Sequence, residues 1–237
     1  MKEQFLRTEM ALGSEAVEKL LRSHVAVCGI GGVGSYVVEA LARAGVGELT
    51  LIDHDTVSES NINRQLIALH SSVGQFKADA AAARVSDINP GCAVHVINKK
   101  YEAETREAFF GDYDYIADCI DLVSCKVDLI CTALSRGIPI ISALGTGNRL
   151  DPSMLRISDI SKTEGCPLAR VVRKELRDRG VVHHKVLFSI EPALKPLELE
   201  SPPPGRHSTP ASVPWVPSCG GLMIAGEIVR EIIAKEL

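Results

Sequence analysis

Short apolar runs alternate with amphipathic stretches along the first two thirds of the chain. Residues 24–28, 48–52, 93–98, 113–121 and 138–142 read as strands. Between them lie helical patterns. Residues 14–22 place Val17, Leu20 and Leu21 on one face behind an N-cap Ser14. Residues 33–44 end at Gly45 and Gly47. Residues 77–88 stop at Asn89-Pro90-Gly91, and 122–136 end at Gly137. A short acidic helix is expected over 102–110. This order predicts an α/β fold: a Rossmann-like, mainly parallel sheet with helices on both faces.

The pattern loosens after Gly145-Thr146-Gly147-Asn148. Residues 155–160 and 186–190 read as strands, and 167–179 as a helix rich in cations. Residues 218–237 form a helix with Leu222, Ile224, Ala225, Ile228, Val229, Ile232 and Ile233 on its apolar face. Residues 191–217 hold eight of the twelve prolines and read as an ordered connection or a mobile loop. The expectation is one domain, with a core over 1–147 and a C-terminal α/β extension over 148–237.

Composition adds bounds. The chain has 237 residues, 46% apolar and 24% charged, which suits one large globular domain. The net charge of −4 gives no global field for nucleic acid, so any such contact needs a local basic patch. No apolar run reaches membrane-spanning length, and residues 1–7 contain no secretory h-region. Cys28, Cys92, Cys119, Cys125, Cys131, Cys166 and Cys219 include no C-x-x-C pair. Reduced thiols in a cytoplasmic protein are expected, and no four-cysteine zinc site.

The chemistry concentrates in residues 24–65. Strand 24–28 runs into Gly29-Ile30-Gly31-Gly32-Val33-Gly34, a G-x-G-x-x-G turn that opens a helix. Asp53 follows the second strand, where an acidic ribose ligand is expected. That much suits NAD, FAD, SAM or ATP. The continuation narrows it: Asp53-His54-Asp55, then Ser60-Asn61-Ile62-Asn63-Arg64-Gln65, then Lys77. Two fixed cations, Arg64 and Lys77, suit the charge that develops on a departing pyrophosphate. Asp121, at the carboxyl end of another strand, belongs to the same sheet edge.

With these motifs the chain resembles the ubiquitin-activating-enzyme-like superfamily of ThiF/MoeB type, over roughly residues 5–145. These ATP-dependent enzymes adenylate a carboxylate. The resemblance implies Gly29, Gly31 and Gly32 at the nucleotide, Asp53 on the ribose, and Asn61 and Arg64 near the phosphates. It implies Lys77 on the phosphates and Asp121 on magnesium. Asp55 and Gln65 belong to the same motifs. It also implies a homodimer in which Arg7 reaches into the partner subunit's site.

The C-terminal half, with Asn148-Arg149-Leu150-Asp151-Pro152, Asp159-Ile160-Ser161-Lys162-Thr163 and residues 165–177, resembles the branch that dehydrates threonylcarbamoyladenosine in tRNA. The implied reaction is cyclisation of the threonylcarbamoyl group, driven by ATP. A sulfur-transfer or cysteine desulfurase system is a further partner to expect. The alternative is an activator of a ubiquitin-like sulfur carrier, against which the missing C-x-x-C pairs count. A third reading is a protein that binds ATP without turnover.

Each signal has a plainer explanation. Asp121 also suits a helix N-cap, Arg64 a surface ion pair, and Lys77 a solvated helix. Cys166 and Cys219 suit structural positions as well as reactive ones. Arg170, Arg173, Lys174 and Arg177 share a helical face, which reads either as a solvated surface or as a tRNA contact.

Overall fold

The computed structural model describes residues 3–197, 199 and 209–234. Among these, seven strands form one sheet: β1 (His24–Cys28), β2 (Glu48–Ile52), β3 (Ala93–Ile97), β4 (Tyr115–Asp118), β5 (Ile140–Ala143), β6 (Leu155–Asp159) and β7 (Lys185–Ser189). Their order is β3-β2-β1-β4-β5-β7-β6. Every neighbouring pair is parallel except β6 with β7. The order therefore reverses between β1 and β4. Such a switch point leaves a crevice at the carboxyl ends of the strands.

The helices are α1 (Leu6–Leu12), α2 (Ser14–Arg22), α3 (Gly34–Ala44), α4 (Lys77–Ile88), α5 (Val123–Ser135), α6 (Pro167–Asp178) and α7 (Trp215–Ala234). They cover both faces, so the central strands are apolar on both sides. Val25, Val27, Leu49, Leu51, Tyr115, Ala117 and Ile141 face one core with α3, α4 and α7. Ala26, Cys28, Ile116 and Ile140 face the other with α5 and α6.

Several local readings differ from expectation. α1 is a helix that the periodicity does not announce, because its apolar Leu6 and Met10 are exposed. The segment expected as an acidic helix is a 3-10 helix, Ala103–Phe109. As expected of an extension of the same α/β unit, β7 pairs with β5 in the one sheet. α7 begins at Trp215, with Pro217 in its first turn, where the missing N–H does no harm. The prolines at 202–204 and the last three residues lie outside the described residues. α7 presses on the start of α3: a Cβ on Gly221 would lie 2.4 Å from the Val33 carbonyl oxygen.

Candidate active site

The glycine-rich turn divides its glycines between two duties. Gly29 has φ +87°, and a Cβ there would lie 2.7 Å from the Cys119 carbonyl oxygen. At Gly34 a Cβ would lie 1.8 Å from the Gly29 carbonyl oxygen. These two let the turn close against β4. Gly31 has nothing nearer than Gln65 Nε2 at 3.8 Å, and Gly32 faces Pro217 and Arg64. Their backbone lines a cavity of about 930 Å³, within the usual range for ligand pockets. α3 starts at this wall, so its first N–H groups favour an anion there.

Gly29, Gly31, Gly32, Asp53, Asp55, Asn61, Arg64, Gln65, Lys77 and Asp121 all line this one cavity. Asp53 is buried. One carboxylate oxygen accepts the Ile30 N–H at 2.6 Å and the other accepts the Asp55 N–H at 2.9 Å. It thus clamps the end of β2 to the glycine turn, a task the ribose role does not announce. Asn61 Oδ1 accepts the Ser58 N–H at 3.2 Å and shapes the turn that carries Arg64. Arg64 Nη1 donates to the Ser60 carbonyl at 2.8 Å and to Asn63 Oδ1 at 2.9 Å. Lys77 opens α4, is 6% exposed, and donates to Asp55 Oδ2 at 2.8 Å. A buried ammonium held by one half-exposed carboxylate can exchange that partner for a phosphate. Gln65 is buried, and its Oε1 has no partner among the described residues.

Two sources of carboxylate suit a divalent cation. The ligand atoms of Asp53, His54 and Asp55 lie within 4.8 Å of one another on the β2 side. Asp121 lies on the β4 side of the turn. Magnesium on a nucleotide takes one or two carboxylates with phosphate oxygens and water, so either wall fits. A third group, His24, Glu48 and His95, lies at the opposite edge of the sheet.

Cys119 lines the cavity, but burial and then the Asp118 carboxylate push its thiol up to about 12. It is protonated at neutral pH and a poor nucleophile. Cys166 is buried at the start of α6, where its Sγ accepts the Ala169 N–H at 3.4 Å. Cys219 lies within α7, outside the cavity lining.

Two expected groups lie elsewhere. Arg7 is exposed on α1, just after Phe5, which packs on Gly45 at the far end of α3. α3 spans about 16 Å, so Arg7 is remote from its own cavity. Arg170, Lys174 and Arg177 are exposed on α6. Arg173 shares their face, yet its Nη1 donates to the Thr163 carbonyl at 2.7 Å and to Thr163 Oγ1 at 2.6 Å. Its first duty is to hold the segment before α6.

Further residues on the cavity wall are not among the expected site residues. Lys99, Lys100 and Tyr101 arrive from the end of β3, Thr146 and Arg149 from the end of β5, Thr209 from the approach to α7 and Pro217 from its first turn. The signals that could have found some of them are the doublet Lys99-Lys100 after a strand and Arg149 within Asn148-Arg149-Leu150-Asp151-Pro152.

A phosphate-binding turn at the switch point of a parallel sheet defines a nucleotide-binding α/β protein. Within that class the chain belongs to the ThiF family, whose profile matches residues 5–236. It is 43% identical to the tRNA threonylcarbamoyladenosine dehydratase of Bacillus subtilis (strain 168), over 98% of this chain and 96% of that protein. The crystal structure of the Escherichia coli tRNA N6-threonylcarbamoyladenosine dehydratase in complex with AMP superposes with a TM-score of 0.89 at 32% identity. That match covers 98% of this chain and 94% of the other. The ATP complex of the same enzyme gives a TM-score of 0.87. The molybdopterin-synthase adenylyltransferase of Escherichia coli (strain K12) is 36% identical, over 53% of this chain and 50% of that protein.

Proposed function

We propose that this protein is an ATP-dependent dehydratase of threonylcarbamoyladenosine in tRNA. The observation that carries the reading is the end-to-end likeness to such dehydratases, where the likeness to a molybdopterin-synthase adenylyltransferase covers half of each chain. The cavity chemistry agrees with it. Backbone N–H groups at Gly31 and Gly32 take phosphate oxygens, Asp53 takes the ribose, and Asn61 and Gln65 border the phosphates. Arg64 and Lys77 neutralise the departing pyrophosphate, with Asp55 released from Lys77. Asp121 would hold magnesium, whose charge would offset that of the phosphates.

In the first step the threonyl carboxylate attacks the α-phosphorus, the bond to the β-phosphate oxygen breaks, and pyrophosphate leaves. In the second the neighbouring carbamoyl group attacks the acyl carbonyl. The carbon–oxygen bond to AMP breaks, and the attacking group loses its proton. The protein contributes position and charge compensation. An internal acceptor needs no enzyme thiol, which suits the protonated Cys119.

The proposal extends to a homodimer, with Arg7 completing the partner subunit's site. It also extends to tRNA held by the exposed cations of α6. A sulfur-transfer or cysteine desulfurase partner stays an expectation of the resemblance. Among the described residues no helix is long and apolar enough to cross a membrane.

The test supplies magnesium, ATP and cellular tRNA. Release of AMP and pyrophosphate, with loss of one water from the modified nucleoside by mass spectrometry, supports the reading. Release of ADP overturns it. AMP release that needs the C-terminus of a carrier protein supports the alternative.

A further inference from the structure

Arg149 is 2% exposed and borders the cavity. Among the described residues its guanidinium meets two backbone carbonyls, Asn148 and Gly165, each at 3.4 Å. Among the same residues its Nε has no partner, and no carboxylate pairs with it. A buried cation held by two long hydrogen bonds is poorly compensated. Two more features converge on it. The Gly165 contact places the guanidinium at the start of α6, a twelve-residue helix whose first residues, Pro167 and Leu168, line the same cavity. The Thr209 hydroxyl, also on the lining, is buried without a partner among the described residues.

The sheet order says which anion this group serves. Asp53, Arg64 and Lys77 all follow β2, and Arg149 follows β5. The strands run β2-β1-β4-β5, three spacings of about 4.8 Å apart in total. The ribose ligand and phosphate cations thus stand on one side of the glycine turn, and Arg149 stands beyond Asp121 on the other. Asn148 holds this side together in a left-handed conformation, φ 57°. Its N–H donates to the Ala211 carbonyl at 2.7 Å, and its Oδ1 accepts the Ala211 N–H at 2.7 Å.

We infer that Arg149, the start of α6 and the Thr209 hydroxyl form the subsite that receives the substrate carboxylate and delivers it to the α-phosphorus. The inference rests on the proposed function and names the group that selects its substrate. A guanidinium matches a carboxylate with two parallel hydrogen bonds, which an ammonium cannot reproduce.

The test uses the full chain with Arg149→Met and Arg149→Lys. Affinity is measured for ATP alone, for tRNA carrying threonylcarbamoyladenosine, and for the same tRNA without that group. Wild type binds the modified tRNA more tightly. Arg149→Met lowers affinity for the modified tRNA roughly tenfold to a hundredfold, as for a lost charged hydrogen bond, and the lysine variant recovers part of it. Affinities for unmodified tRNA and ATP stay within about twofold. Tm holds or rises, because an uncompensated buried charge is gone. Equal weakening of both tRNAs overturns the inference in favour of an RNA phosphate, and weaker ATP binding overturns it in favour of the triphosphate. A lower Tm with unchanged selectivity overturns it in favour of a structural role. A wild type that does not distinguish the two tRNAs overturns the function itself.

Discussion

Asp118 and Lys126 form an ion pair of 2.6 Å in which neither side chain reaches solvent. Asp118 ends β4, and its second oxygen accepts the Ile120 N–H at 3.0 Å. The pair therefore sets the turn over 119–121 that carries Asp121 to the cavity. Removing the cation alone leaves a buried, uncompensated carboxylate. Lys126→Met should cost about 3–5 kcal/mol in urea unfolding. Adding Asp118→Asn should recover most of it. A loss under about 1 kcal/mol for the single variant would show that water reaches the pair.

The two glycine duties predict opposite outcomes for one methyl group. Gly34→Ala places a Cβ 1.8 Å from the Gly29 carbonyl, so turn or helix must move. It should destabilise by about 1–3 kcal/mol or more, and ATP binding should be lost with it. Gly31→Ala meets nothing nearer than 3.8 Å, so its Tm should hold. Its ATP affinity should fall roughly tenfold, because the methyl occupies phosphate space. Thermal melts and nucleotide titrations separate the two, and equal behaviour would refute the division.

That division also marks what the sequence could reveal. Gly29, Gly34, Asp53 and Lys77 announce themselves because one turn fixes their spacing and backbone demands. Arg149 and Thr209 do not, because only the sheet order brings β5 and the approach to α7 beside the β1 turn. α1 escapes periodicity because Leu6 and Met10 point outward. Arg173 shares a face with Arg170 and Arg177 on spacing alone, yet spacing cannot show that Thr163 docks against it.

His184 is buried, with Nε2 against Ser142 Oγ at 2.8 Å. Burial, then the Lys126 charge, lowers its pKa from 6.5 to about 3. The unfolded chain binds this proton at higher pH than the folded protein does. The stabilisation is therefore complete above pH 6.5 and is lost progressively as pH falls towards 3. Between pH 7 and 5 the loss from this group should be about 2 kcal/mol. His184→Gln should flatten that part of the curve by urea denaturation. Parallel curves for the two proteins would place the titration elsewhere.

Arg7 is exposed on α1, away from its own cavity, so its expected action is across the proposed dimer. Arg7→Ala and Lys77→Ala should each be inactive alone. Mixed and allowed to exchange, half of the dimers are hybrids, and each hybrid holds one intact site. About a quarter of wild-type activity should return by AMP release. No recovery, with exchange confirmed by tagged subunits, would restrict Arg7 to its own chain.

The tRNA surface is the remaining question, and the net charge of −4 means that a local patch must supply it. Arg170, Lys174 and Arg177 are exposed on one face of α6, whose start borders the cavity. A tRNA lying along this face could place its modified base at the cavity mouth. Contacts to backbone phosphates weaken with salt, and each lost contact should lower the log–log slope by about 1. Arg170→Ala with Lys174→Ala and Arg177→Ala should therefore weaken tRNA binding and flatten its salt dependence, with ATP affinity unchanged. Arg173→Ala should act differently. It frees the Thr163 carbonyl and hydroxyl, so Tm should drop before the slope changes. Titrations of tRNA at several salt concentrations, beside melts of each variant, measure both. An unchanged slope in the triple variant would leave α6 a solvated face and point to Lys99 and Lys100 at the end of β3.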